Sequence, residues 1–453
     1  MVIDNSRAIE TIRENRAVVA ELASTWSRLT PILYIGARES ERFSADLAKA
    51  SGADPSTVSF LLNGLPEIDV NTGAARNLHL LLTSGSLCLT VDDDVLCELY
   101  AGVGPRRKSR SPFERYSIGT FYLDRLELEK DIVALDLDIL AVHEQILGKK
   151  VSRSAKASSV RKTDTGPVSA TIQGVVRATV TGVAGDLTND SPAIPYFGSV
   201  GAGSFAPNTK EQHARLLESG QVLRLVNRHV TGRRLLTSAY CLGLDNANLL
   251  PPWLPSLRSQ DRIFGMMLSG MDAGNLASLL PCAVMHDRLE KRTFDLDHVK
   301  QRFLQVSGGE LMCGVLLKHL RACHDAAPTL LKLGEMIVQF ALADISTFIA
   351  SLTEVAYGLI QRRIEFLRSL LVHQADYPNF ISDEIRHYLA AATAIAKGPS
   401  LSVPFDVSSS PASPAHVLKR LLLGYGNGLR LWVPMMDAAK QLTSCPSTYA
   451  ARF

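Results

Sequence analysis

Three carboxylates in a row, Asp92, Asp93 and Asp94, follow the apolar run of SLCLTVDDDV. Adjacent like charges repel, and each loses hydration when crowded, so folding alone gives little reason to hold them together. A bound divalent cation reverses that cost. In extended geometry Asp92 and Asp94 point to one side and Asp93 to the other. The first and third acids can then share a hard cation, Mg2+ or Mn2+, with phosphate oxygens and water completing its shell. Two other polar clusters fall where they can reach the same sheet edge: Asp4, Asn5 and Ser6 in VIDNS, and the GAARN segment from Gly73 to Asn77. Within the latter, Arg76 can pair with phosphate oxygens.

The elements that must position these residues alternate over the first hundred positions. VID ends a short strand, a helix follows to about Thr25, and PILYIGA gives a second strand. Residues 39–50 read as a helix, STVSFLLNG as a strand, GAARNLHLLLTSG as a helix closed near Gly85, and SLCLTV as the strand that delivers the aspartates. Short apolar strands alternating with helices predict an α/β domain with a mostly parallel sheet covered on both faces. In open sheets of this kind ligands bind at the carboxyl ends of the strands. The expected sheet lacks a strand ahead of Met1, so either that strand is missing or the native chain starts upstream.

Residues 102–165 are basic, small and polar at both ends and read as a surface insertion around a helix or helical hairpin. Apolar, β-branched character returns after Gly166. Beyond about Phe294 apolar residues recur at three- and four-residue spacing, which predicts a helical domain over 295–453 after an α/β domain over 1–294. That helical domain is a candidate for acceptor binding, self-association into a homo-oligomer or contact with another partner.

The totals bound the function classes. At 453 residues the chain exceeds the usual size of one core. Its 48 basic and 45 acidic residues leave a net charge of only +3, which excludes bulk nucleic-acid binding as an expectation. Seven dispersed cysteines without a CxxC pair read as reduced thiols, and charges in the first fifteen residues argue against a secretory signal, so a cytoplasmic protein is expected. The most apolar window, 336–361, is interrupted by Asp344 and Glu354 and reads as a buried helix, not a span. Peripheral contact with a membrane is compatible with this composition.

VIDNS, GAARN and TVDDD, in that order, resemble the nucleotide-sugar-dependent glycosyltransferases of the GT-A fold, specifically the family 2-like group. The likeness covers residues 2–95 and loosens afterwards. It implies a GT-A-like (Rossmann-like) domain that binds a UDP- or GDP-sugar with Mn2+ or Mg2+ and transfers the sugar to a hydroxyl acceptor, with inversion. By the same likeness, Asp4, Asn5 and Ser6 contact the nucleotide and Arg76 lies beside its diphosphate. Asp92 and Asp93 face the donor, and Asp92 and Asp94 bind the metal. A general base follows in an acidic segment at a helix start; here Asp261 in SLRSQDRIFG fills that place, with Gln260 where the family has Glu. His286 in LPCAVMHD matches the late histidine that many such enzymes use as a further metal ligand. Asp245 and Trp253 are candidates for the acceptor pocket. A nucleotidyltransferase and a degenerate GT-A domain serving as a binding or scaffold module are the competing readings.

Overall fold

The computed structural model describes residues 1–6, 8–26, 31–103, 119–154, 171–186, 209–233, 235–236, 239–288, 304–322, 329–372, 378–398, 404, 406–407, 413–443 and 448–451. The first third holds β1 (Val2–Ile3), α1 (Ile9–Trp26), β2 (Tyr34–Ile35), α2 (Ala37–Ser51), α3 (Pro55–Asn63), α4 (Thr72–Leu82), β3 (Leu87–Val91) and β4 (Val95–Gly102). The middle holds β5 (Thr120–Phe121), α5 (Arg125–Lys130), β6 (Ile132–Leu135), α6 (Ile139–Glu144), β7 (Lys150–Ser154), β8 (Thr171–Asp186), α7 (Lys210–Glu218), β9 (Gln221–Arg224), β10 (Val230–Gly232), β11 (Cys241–Asp245), α8 (Gln260–Met271) and β12 (Asn275–His286). Among the described residues after β12, the elements are helices: α9 (Gly308–Ala322), α10 (Leu330–Leu342), α11 (Ile345–Leu371), α12 (Asn379–Lys397) and α13 (Pro414–Leu442). An α/β region followed by helices is thus what the chain forms.

The segment STVSFLLNG, expected as a strand, is α3. Asp54 caps it, its carboxylate accepting from the Thr57 N–H at 3.0 Å, and Pro55 occupies the first turn, where its missing N–H costs nothing. Val58, Leu61 and Leu62 then bury one helical face.

The sheet is also mixed instead of mostly parallel. β1 and β2 form a small parallel pair of their own. In the large sheet β8 and β12 run parallel, while β3–β11, β11–β8, β12–β4, β4–β6, β10–β12, β7–β8, β8–β9 and β5–β9 are antiparallel. The long β8 meets β7, then β11, then β9 along one edge and β12 along the other.

Residues 104–118 and 155–170 of the basic insertion lie outside the described set. What lies between is no helical hairpin: β6 extends the sheet beside β4, and β7 joins β8. The apolar window over 336–361 is likewise two helices, not one. Asp344 caps α11 by accepting from the Thr347 N–H at 3.0 Å, and α10 and α11 meet at 116°. No single helix among the described residues is long and apolar enough to cross a membrane.

One apolar core crosses from the α/β region into the helices, joining Phe43, Leu61, Leu81, Leu244 and Phe264 to Leu316, Ile337, Ile360 and Trp432. Helix α13 lies against α2, α3, α4 and α10 and reaches the segment between β11 and α8. The fully buried Trp432 donates its indole N–H to Leu250 O at 2.7 Å, and the Tyr425 hydroxyl donates to Pro252 O at 3.0 Å. Loop carbonyls buried without such donors would each cost about 1–3 kcal/mol.

Candidate functional site

The link from β3 to β4 is three residues long, yet these strands are not neighbours: β3 pairs with β11, and β4 with β12. Four strand spacings separate them along the sheet order, about 19 Å if flat. Four residue steps from Val91 to Val95 reach at most about 14 Å, so the sheet must curl there. Asp92, Asp93 and Asp94 bridge the two halves. They form a turn, not the extended run expected, with the Val95 N–H donating to Asp92 O at 3.3 Å. Two backbone bonds hang this turn from the sheet: Asp92 N–H to Tyr240 O at 3.0 Å, and Asp287 N–H to Asp94 O at 2.9 Å.

The outer two carboxylates face different partners, and Asp93 between them is exposed. Asp92 Oδ1 accepts from Arg76 Nη2 at 3.0 Å, and the same nitrogen donates to Ala239 O at 3.0 Å. Arg76 Nη1 donates to Asp261 Oδ1, and Asp261 Oδ2 accepts from the Ala239 N–H at 3.0 Å. One guanidinium thus ties the aspartate turn to the start of α8. Its carbon lies 4.6 Å over the Trp253 ring, which stacks on Phe264 at 4.1 Å.

Helix α4 builds this arrangement through GAARN. Gly73 faces the chain at Leu254, where a Cβ would come within 1.9 Å of the carbonyl oxygen, so only glycine permits the approach. The buried Asn77 amide clamps Trp253: Nδ2 donates to its carbonyl at 3.0 Å and Oδ1 accepts from its N–H at 2.7 Å. Trp253, 1% exposed, therefore backs Arg76 instead of lining an acceptor pocket. Asp245 pairs with Arg177 and accepts from Asn248, which commits it to the sheet end.

The first motif connects to the same helix. Asp4 accepts from the Ser6 N–H at 2.9 Å and the Tyr34 hydroxyl at 2.7 Å. Burial raises its pKa, but these bonds outweigh that and hold it below the ordinary value. Ser6 Oγ accepts from Asn15 of α1 at 3.3 Å, and Asn5 donates to Asn71, at the start of α4, at 3.2 Å. VIDNS, GAARN and the aspartate turn are therefore linked by contacts.

On the other side of the turn, Asp94 Oδ2 lies 3.1 Å from His286 Nε2 and 3.1 Å from Arg288 Nε. His286 ends β12, is 1% exposed, and packs edge-on against Tyr240. Its Nδ1 has no hydrogen-bond partner among the described residues. Burial works against ionisation of Asp94, but the His286 and Arg288 contacts outweigh it and pull the carboxyl down to about 2. Asp92 behaves oppositely: burial, with the charges of Asp261 and Asp94, prevails over Arg76 and pushes it up to about 6. For Arg76 burial favours deprotonation, but the two carboxylates prevail and raise its pKa.

These two acids give opposite pH signs. Asp92, at about 6 against 3.8 for the free side chain, holds a proton in the fold that the unfolded chain releases. Its contribution to stability is full below about pH 4 and is lost as pH rises to about 6. Asp94 contributes above about pH 4 and loses that contribution as pH falls towards 2. Asn mimics a protonated Asp. The wild type should therefore lose stability relative to Asp92→Asn between pH 4 and 6, measured by urea denaturation, and hold a constant offset above 7. A pH-independent offset throughout would contradict the assignment.

The chemistry of Asp94 and His286 fits a divalent cation. Bonds of about 2.1 Å at right angles place two ligand atoms about 3 Å apart, and the Asp94–His286 separation is 3.1 Å. A carboxylate oxygen with an imidazole nitrogen is a donor set acceptable to Mn2+. No group of three His, Cys, Asp or Glu side chains gathers as a metal shell among the described residues. Asp92 faces Arg76, so the other positions would fall to phosphate oxygens and water.

Arg288 and the Ala239 backbone were not anticipated. Arg288 had a signal, since it stands two positions after His286 and so shares its face if the strand direction continues. Ala239 acts only through its peptide groups, which side-chain chemistry does not reveal. Comparison of the chain with protein-family models, curated proteins and solved structures finds no match.

Proposed function

We propose that this protein is a metal-dependent glycosyltransferase of GT-A type that moves a sugar from a nucleoside-diphosphate donor to a hydroxyl acceptor with inversion. The observation carrying this reading is the meeting of Arg76, Asp92, Asp94, Asp261, His286 and Arg288 around one three-residue turn. Asp94 and His286 would hold Mn2+ or Mg2+, with Asp92 and Asp93 on the donor side and Asp4, Asn5 and Ser6 nearer the nucleotide base. When bound, the cation supplies positive charge against the departing diphosphate.

Asp261 is the base in this reading. Arg76 and the Ala239 N–H engage one position on each of its oxygens, and an ionised carboxylate has about four such positions. Its side chain is 21% exposed, which leaves it open to an acceptor hydroxyl. It takes that hydroxyl's proton as the oxygen bonds to the anomeric carbon, while the bond from that carbon to the diphosphate oxygen breaks with its electron pair leaving on the diphosphate. Arg76 acts here as a positioning residue, fixing the base and Asp92 in one frame.

A catalytically silent GT-A-like binding module is the second reading, and the engagement of both Asp261 oxygens favours it. Thermal denaturation with UDP, GDP, ADP and CDP, with and without Mn2+, tests donor binding through mass action. A rise in Tm with one nucleotide that needs Mn2+ is expected, and no rise with any of them would overturn the donor-binding site. Given such binding, metal-dependent hydrolysis of the corresponding nucleotide-sugar separates the enzyme from the silent module.

A further inference from the structure

The start of α8 is built against backbone preference. Leu257 and Ser259 both lie in the left-handed region, at φ 77° and 69°, where residues with side chains are uncommon. A serine just ahead of a helix ordinarily lies extended and caps the first turn through its hydroxyl. Ser259 does neither. Asp261, in that first turn, likewise sends its carboxylate to Arg76 and the Ala239 N–H. Local capping is forgone, and the acid is delivered to the aspartate turn. Left-handed residues other than glycine persist where their surroundings over-determine them.

Here the surroundings include the helical region. Leu257 is 1% exposed, and its N–H donates to Val70 O at 3.0 Å. Against the next two residues sits the first turn of α9, where a Cβ on Gly309 would come within 2.3 Å of Arg258 O and 3.0 Å of Ser259 Oγ. That turn is itself fixed. The Ser307 N–H donates to Glu310 Oε2 at 3.0 Å, and the Glu310 N–H donates to Ser307 Oγ at 3.2 Å. Arg363 of α11 holds both Glu310 oxygens, at 2.7 and 2.8 Å, and the Gly308 N–H donates to Asp406 Oδ1 at 2.7 Å.

We infer that Gly309 and Arg363 are positioning residues for Asp261: the first turn of α9, held by Arg363, keeps Leu257 and Ser259 left-handed and so aims the carboxylate two residues further on. The role of Asp261 as a base rests on the proposed function, whereas the chain of contacts leading to it does not. The helical region thereby enters the site through the backbone of residues 257–259.

Urea denaturation of the full chain tests the positioning without reference to activity. Asp261→Asn lowers stability by weakening the bond to Arg76, and Gly309→Ala by pressing a methyl group onto the Arg258 carbonyl. If Gly309 sets the place of Asp261, the two losses are coupled. The fall in the folding constant caused by Asp261→Asn should be about tenfold smaller in the Gly309→Ala background, within the range of such couplings. Independent sites add, so additive losses would overturn the inference. If Gly309→Ala does not fold, Arg363→Lys, which keeps the charge but not the grip on both Glu310 oxygens, takes its place in the same cycle.

Ser259→Gly separates positioning from stability. Glycine adopts a positive φ without steric cost, so Tm should rise by about 1–2 °C, and Ser259→Ala, which keeps the Cβ, should show no rise. The relaxed segment then holds Asp261 less firmly. In Ser259→Gly, metal-dependent hydrolysis of the nucleotide-sugar should fall about tenfold in kcat at unchanged KM. A more stable variant with full kcat would overturn the positioning role. A wild type that binds nucleotide with Mn2+ but hydrolyses no donor removes Asp261 as the base, and the urea cycle still decides whether α9 positions it.

Discussion

On the proposed glycosyltransferase reading, replacing Asp94 by Ala should abolish the Mn2+-dependent part of nucleotide stabilisation and lower sugar transfer about a thousandfold, the scale of losing a key charge-stabilising group. The reason lies in the two contacts of its Oδ2. With that oxygen gone, His286 loses the carboxylate it contacts among the described residues, and the turn keeps Asp92, which faces Arg76, and the exposed Asp93. If affinity for Mn2+ falls a hundredfold, a ligand at 100 times its Kd stabilises by about 0.4 instead of about 2.7 kcal/mol. The Tm rise seen with nucleotide and Mn2+ would almost vanish, while the baseline Tm without metal serves as the control. An Asp94→Ala variant that keeps a Mn2+-dependent Tm rise would show that the cation binds elsewhere.

Arg76→Met should be the most destabilising single change at the site, at about 3 kcal/mol, because it leaves two carboxylates packed together without their shared cation. The side chain is 10% exposed, and its loss also removes a donor from Ala239 O and the charge stacked on Trp253. Arg76→Met combined with Asp92→Asn and Asp261→Asn should recover most of that loss, since replacing a whole ion group is far less costly than removing one partner. Guanidinium denaturation of the two variants measures both. A loss below about 1 kcal/mol for Arg76→Met alone would mean that solvent, not Arg76, carries the two acids.

The parts of this molecule that were legible in its sequence are those set by neighbours in the chain. GAARN was readable as a helix near the sheet edge, and β3 as the strand leading to the aspartates, because both follow from local periodicity and a glycine-rich stop. STVSFLLNG misled through its apolar and β-branched residues, although Asp54 and Pro55 before it carried a helix-start signal that outweighs them. The mixed sheet was hidden for a different reason. Direction between neighbours depends on long connections, and β8 serves four partners along its length. At the site, Asp94 and His286 were each candidates by residue type, and the structure brings them to 3.1 Å. The bond between Arg76 and Asp261 spans 185 residues, and no local pattern could pair them.

The grip of α13 on the loop before α8 has a consequence for synthesis. Trp432 meets Leu250 across 182 residues of chain, which a ribosome adding about 5–20 residues per second takes roughly 10–35 s to make. Through that interval the nascent α/β region exposes the carbonyls and the apolar face that α13 later covers, and Trp253, on which Arg76 rests, lacks its final support. The polypeptide thus emerges with the frame of its aspartates unset until the last helix is made.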